Sequence, residues 1–408
     1  MTSRTLDVLV VGGGIGGLST ALALGRAGLD VHLVEQAREF AEIGAGLQLG
    51  PNAVRAMDRL GVWEQVDAVA VRPRNGVIRD IDSGEVLTVI DFGQPFVDHY
   101  GYPYVVVHRH DLLEILVAAA RELPNVSLEV RKRVVEVREG ADVATVVFED
   151  GDEYVARTVI GADGIRSRVR ALHDTSEPVF STHVAYRGAV PIERVKADID
   201  LADMTLWMGP GRHFIHYPVR GGDLYNLVAV FESSWYLEGR EDWGERAEFE
   251  EAFAPSCAPV QELMSLMNDH RKWPISDREP LTTWRTDHTV LLGDAAHAML
   301  QYLGQGACQA MEDSLVLARS IVSQPSREAA LADYEAQRID RTTRCQRSAR
   351  PWGALWHTAD PTVLALRNRV FRARRADDYS EADWLYQDAV GPVPWETTPA
   401  LTPSGAPS

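Results

Sequence analysis

Asp7–Val11 (DVLVV) is an apolar run behind one acid, the pattern of a strand covered on both faces. The glycine-rich segment Gly12–Gly17 interrupts it. Leu18–Ala27 is rich in leucine and alanine and predicts a helix, which Gly28 ends. Val31–Glu35 (VHLVE) predicts a second strand, completing a βαβ unit. The pattern changes in the middle of the chain. From Ser181 to Phe231 apolar and polar positions alternate, with turns such as Gly221-Gly222-Asp223 between the runs, and this predicts an antiparallel sheet. After Ala247 the spacing is helical; Thr289–Leu292 reads as a short buried strand, and Gly306–Thr343 as a long helical region. Residues Thr397–Ser408 are rich in Pro, Ser, Thr and Gly and are expected to be disordered. No internal repeat is visible.

Composition narrows the function classes. The chain has 408 residues, with 41 Lys+Arg against 59 Asp+Glu, a net charge of −18. A general nucleic-acid binder would need a basic footprint. The three cysteines, Cys257, Cys308 and Cys345, are too few and too widely spaced for a disulfide framework or a zinc ladder, so reduced thiols and no metal are expected. No apolar stretch approaches the ~18 residues of a membrane span, and no signal peptide is visible. A cytoplasmic protein is expected.

Gly12, Gly14 and Gly17 fit G-x-G-x-x-G, with Ile15 opening the helix. The first glycine permits the tight turn, the second lets backbone approach a pyrophosphate, and the third allows helix to pack closely on strand. The helix N-terminus then offers free N–H groups to the phosphates. Glu35, at the end of the second strand, suits the hydroxyls of an adenosine ribose and would repel a 2′-phosphate. The dinucleotide is therefore FAD or NAD. Two further turns follow strand patterns: Asp163-Gly164 in VIGADGIRSRVR (Val159–Arg170) and Gly293-Asp294 in TVLLGDAAH (Thr289–His297). Each alone also reads as a helix cap.

The three motifs, in this order, resemble the single-component FAD-dependent aromatic hydroxylases, and the likeness spans residues 7–310. The resemblance implies an α/β fold. A Rossmann-like FAD-binding domain would be assembled from residues 1–75, 105–178 and 272–345. Residues 76–104 and 179–271 would form a second, mainly antiparallel β-sheet substrate domain. A helical C-terminal segment (346–396) and the tail (397–408) would follow. Glu35 would hold the adenosine ribose and Asp294 the ribityl chain. Arg109 and Gln48 would sit beside the flavin. Asp163 would lie near the pyrophosphate and the nicotinamide. Gly304, Gly306 and Ala307, in the Gly304-Gln305-Gly306-Ala307 turn, would aim a helix N-terminus at the flavin pyrimidine. One departure stands out: many members carry proline after Ala-Ala-His, where this chain has Ala298, and a less rigid loop is expected there.

Within the family the likeness is greatest to 3-hydroxybenzoate 6-hydroxylases, with salicylate hydroxylases further off. It implies NADH (with NADPH left open) and O2 as co-substrates, a flavin C4a-hydroperoxide as oxidant, and an aromatic acid converted to gentisate. Salicylate and heteroaromatic acids remain alternatives. His213, Tyr217, Gln301 and Tyr104 would line the substrate pocket, joined by Tyr186 of Tyr186-Arg187-Gly188. If Arg212–Val219 is a strand, period two puts His213, Ile215 and Tyr217 on one face and Phe214 and His216 on the other. His213, with an ordinary pKa near ~6.5, would take the phenolic proton while Gln301 orients the hydroxyl. Because the net charge opposes an anionic substrate, local groups such as Arg187, Arg212 or His213 must attract it. The aromatic stretch Trp352–His357 could close the pocket or form the surface of a homodimer. Helical spacing favours plain core contacts with the FAD domain.

Overall fold

The computed structural model describes residues 5–40, 45–267 and 272–397. The expected disordered tail therefore lies, apart from Thr397, outside the described residues. The predicted βαβ unit is present: strand Thr5–Val11, helix Ile15–Arg26, strand Val31–Glu35. These strands belong to a seven-stranded sheet in the order Val126–Val130, Val31–Glu35, Thr5–Val11, Glu153–Gly161, Ala144–Phe148, Val134–Glu139, with Thr289–Leu291 also pairing Glu153–Gly161. Its central pairs are parallel, and Val11, Gly161 and Leu291 lie in one register row. That row matters, because the three motif turns start where these strands end. All three loops consequently open at the same edge of the sheet, the edge where open α/β sheets bind ligands.

The second seven-stranded sheet runs in the order Trp273–Asp277, Val179–Pro191, Leu224–Glu232, Arg212–Val219, Met204–Gly209, Asn75–Asp80, Val86–Asp91. All its pairs are antiparallel except Met204–Gly209 with Asn75–Asp80. Both faces of this sheet carry an apolar layer, so polar residues within the alternation between Ser181 and Phe231, such as His213, His216 and Asn226, are buried as well. One layer contains Tyr186, Trp207, Phe214 and Phe231, and helices from Arg246–Phe253 and Ala258–Ser265 cover it. The other contains Ile215, Tyr217, Val228 and Val230 and turns toward the first sheet. Trp273–Asp277 belongs to this second sheet, although residue 271 was the expected limit of its domain. A two-stranded ribbon, Gly46–Leu49 with Val105–His108, lies between the two sheets. Its Gly46 passes so close to Tyr217 that a Cβ would sit 2.5 Å from the ring.

The long helical region is two helices, Gly306–Ser323 and Arg327–His357, separated by a short break that Ser326 caps by accepting from Ala329 N. The second helix runs through residue 346, so no boundary falls there. Among the described residues no helix is long and apolar enough to cross a membrane.

Candidate active site

A continuous cavity of about 1500 Å³ joins the two sheets. Gly12, Gly14, Ile15, Glu35, Asp163 and Asp294 line it at the first sheet. Tyr104, His213 and Tyr217 line it at the second, and Gln48, Arg109, Gln301, Gly304, Gly306 and Ala307 lie along its wall. Gly17 is not on the wall. A Cβ there would stand 1.9 Å from the Gly12 carbonyl, so this glycine serves the close packing of helix on turn.

The cradle fits a dinucleotide. Helix Ile15–Arg26 starts at Gly14 with no side-chain cap, which leaves its first N–H groups for a ligand. Gly12, at φ +109°, lies against Ala162, where a Cβ would come within 2.4 Å of the carbonyl oxygen. Glu35 is held in place by Gly13 N and Ala37 N, which donate to its two oxygens at 2.7 and 2.8 Å. Asp163 is bound by its own turn, accepting from Arg168 N at 2.6 Å and from the Ser167 hydroxyl. Burial pushes its pKa up, against the pull of those donors. Asp294 opens its short helix with an exposed carboxylate.

The loop carrying Asp294 rests on a buried charge network that sequence reasoning missed. Asp313 accepts from Gly293 N at 3.1 Å and pairs with His297 at 2.6 Å. Arg338 then donates to Asp313 at 2.7 Å and to Glu312 at 2.6 Å. Arg341 and Asn52 complete Glu312. Burial alone would raise the pKa of Asp313, but His297 and Arg338 overcome it and hold it down at about 2. The Ala298 loop, expected to be less rigid, is pinned: its carbonyl accepts from Gln346 Nε2 at 3.1 Å and from Arg278 N at 3.3 Å.

At the substrate end the period-two reading of Arg212–Val219 holds. His213, Ile215 and Tyr217 face the cavity. His216 lies on the opposite face, bonded to Trp207 Nε1 and the Tyr225 hydroxyl at 2.8 Å each. The same rule corrects Tyr186. It points to the opposite layer, where it stacks on Phe249 at 4.4 Å and donates to the Gly244 carbonyl at 2.9 Å. Its neighbour Arg187 faces the cavity instead. Period two puts Tyr186 and Arg187 on opposite faces of Val179–Pro191, and the pairing of Arg187 with Val228 decides which of them meets the cavity. Arg212 also turns away, to Asp82 and the Pro210 carbonyl.

His213 is buried, and its Nδ1 lies 2.7 Å from Nε2 of His357. The rings of Trp356 and Tyr302 stand edge-on to it at 5.2 and 5.8 Å. The C-terminal aromatic stretch is therefore a wall of the cavity as well as a core contact, which corrects the plain-core expectation. Burial, then the nearby His183, pushes the His213 pKa down to about 3. It does not titrate near neutrality, as an unperturbed imidazole would. Tyr104 donates to Gln48 Oε1 at 2.8 Å and stacks on Phe92. Gln301 Oε1 accepts from Arg187 Nη2 at 2.8 Å.

The profile of a family described as FAD binding domain matches residues 5–349. The chain belongs to this family of FAD-dependent aromatic hydroxylases. It is 38% identical to 3-hydroxybenzoate 6-hydroxylase of Klebsiella oxytoca over 390 residues, covering 94% of this chain and 97% of that protein. Identity to the enzyme of the same name from Polaromonas naphthalenivorans (strain CJ2) is 36%, covering 95% and 97%. Among solved structures, Klebsiella pneumoniae HpxO complexed with FAD and uric acid superposes with a TM-score of 0.79 at 29% identity, covering 91% of this chain and 94% of that one. The chain is thus a flavin-dependent aromatic monooxygenase with FAD as its cofactor.

Proposed function

We propose that this monooxygenase converts 3-hydroxybenzoate to 2,5-dihydroxybenzoate (gentisate), consuming NADH and O2. The observation that carries the reading is the continuous cavity. It leads from the Gly12–Gly14 cradle, past the Gly304–Ala307 turn, to His213 and Tyr217 on the second sheet. The Klebsiella oxytoca and Polaromonas relatives, both 3-hydroxybenzoate 6-hydroxylases, support the choice of acid.

Bound FAD, reduced by NADH, supplies the activated oxygen, and the protein supplies position and dryness. Backbone N–H groups at Gly14 and Ile15, where the helix starts without a side-chain cap, would bind the pyrophosphate, while Gly12 N is given to the Val34 carbonyl. Glu35 would hold the adenosine ribose and Asp294 the ribityl hydroxyls. Arg109 and Gln48 would flank the ring, and the helix that starts at Gly306 would turn its positive end to it. Asp163 would act indirectly, by bracing the turn beside the phosphates.

His213 remains neutral at working pH, so it accepts a hydrogen bond from the phenol and does not meet it as a cation. Of the two tautomer pairs, the one with His213 Nδ1–H donating to His357 leaves Nε2 as the acceptor. Sharing the phenolic proton there enriches the ring toward an electrophile. Gln301 would orient the hydroxyl, and Tyr217 and Tyr104 would wall the ring.

The test is product identification with NADH, O2 and a panel of 3-hydroxybenzoate, salicylate and 6-hydroxynicotinate. Gentisate from 3-hydroxybenzoate, in step with NADH consumption, is the expected result. Catechol from salicylate or a pyridine diol as the main product would move the assignment to another acid. Hydrogen peroxide alone from all three would remove it.

A further inference from the structure

Most buried guanidinium groups in this protein are well supplied with acceptors. Arg338 has two carboxylates, and Arg170 has Asp174 together with three backbone carbonyls. Arg187 differs. It lies on the cavity wall, with the amide oxygen of Gln301 as its hydrogen-bond acceptor at 2.8 Å. Its Nε is buried without a partner. Among the described residues no carboxylate lies within ion-pair distance of it; the Trp273 ring stands 5.9 Å from the guanidinium carbon. A half-buried cation in this state carries a desolvation cost that an anion joining it would offset.

The sheet register shows where that anion would lie. Arg187 and Ile215 both pair with Val228, so they flank it in one row on the cavity face. Strand spacing puts their Cα atoms ~10 Å apart. His213 and Tyr217 stand one step either side of Ile215 on the same face. The cavity wall formed by these strands thus presents a guanidinium and an imidazole on one face.

We propose that Arg187 is the anion clamp of the substrate site: it receives the carboxylate of the aromatic acid, and Gln301 holds its guanidinium in place. This rests on the aromatic-acid reading above and adds the group that selects acids over neutral phenols. The positive charge is local, which is how a chain with net charge −18 can attract an anion. Neighbouring Arg109 adds to the same field, and burial and Arg109 together push the Arg187 pKa down from its usual range. An anion seated against these two guanidinium groups would therefore be bound favourably.

The experiment compares 3-hydroxybenzoate with its neutral twin, 3-hydroxybenzamide, by the absorbance change of the bound flavin. The parent holoenzyme is expected to favour the acid by at least about tenfold. In Arg187→Leu the dissociation constant for the acid should rise about a hundredfold, and that for the amide less than threefold. Equal losses for acid and amide would overturn the clamp and make Arg187 a support of the flavin or the fold. Should Arg187→Leu fail to retain FAD, the parent still decides: no preference for the acid overturns the proposal. An acid preference without hydroxylated product would instead sink the substrate reading and leave the clamp standing.

Discussion

Replacing His213 by alanine is expected to cut ring hydroxylation by about 10²–10⁴-fold while FAD remains bound. NADH should still be oxidised, with hydrogen peroxide appearing in place of the diol. The reason is position: His213 lies between Trp356, Tyr302 and His357, and its Nδ1 is taken by His357. Nε2 is thus the nitrogen left for the substrate. Its pKa, down at about 3 because of burial, fixes a second part of the expectation. The neutral form is fully populated above that value and lost only below it. Hydroxylation by the parent should show no loss assignable to this imidazole between pH 8 and pH 5. An acid limb near pH 6.5 that disappears in His213→Ala would contradict the burial argument. Hydroxylation within a few fold of the parent would remove the base assignment altogether.

Arg338→Leu is expected to destabilise the fold by about 3–5 kcal/mol, because it leaves Asp313 and Glu312 buried with part of their compensation gone. Denaturant unfolding of the holoenzyme measures this, and a change under about 1 kcal/mol would show the network to be dispensable. FAD affinity should fall too, since Asp313 holds Gly293 N and His297 on the loop that presents Asp294. The pH dependence has a definite sign. Asp313 titrates at about 2 in the fold, below the ~3.9 of an unfolded aspartate. Its contribution is present above pH ~4 and lost as pH falls from there toward 2. Asp313→Asn should therefore be less stable than the parent at neutral pH, with the gap closing across that acid window. A gap independent of pH there would show that the carboxylate charge is not what stabilises the loop.

The βαβ unit, its glycines and Glu35 could be read directly, since each depends on neighbours close in the chain. A turn needs a glycine at a stated position, a buried strand needs an apolar run, and a helix start needs free amides. The facing of His213 and Tyr217 followed from period two within one strand. Tyr186 had no such local determinant: period two sets it opposite Arg187, and only the register with Leu224–Glu232 decides which of the two meets the cavity. The His213–His357 contact and the Asp313–Arg338 pair carry no such local signal. Their partners are 144 and 25 residues apart, and neither spacing has a period to reveal it.

Local chain chemistry was thus sufficient for the cofactor, because a pyrophosphate is recognised by backbone and one short turn. The substrate end required the packed molecule. Which cation is left without an acid, and how far burial lowers an imidazole, depend on groups brought together from distant segments. Desolvation has no counterpart in a linear string of residues.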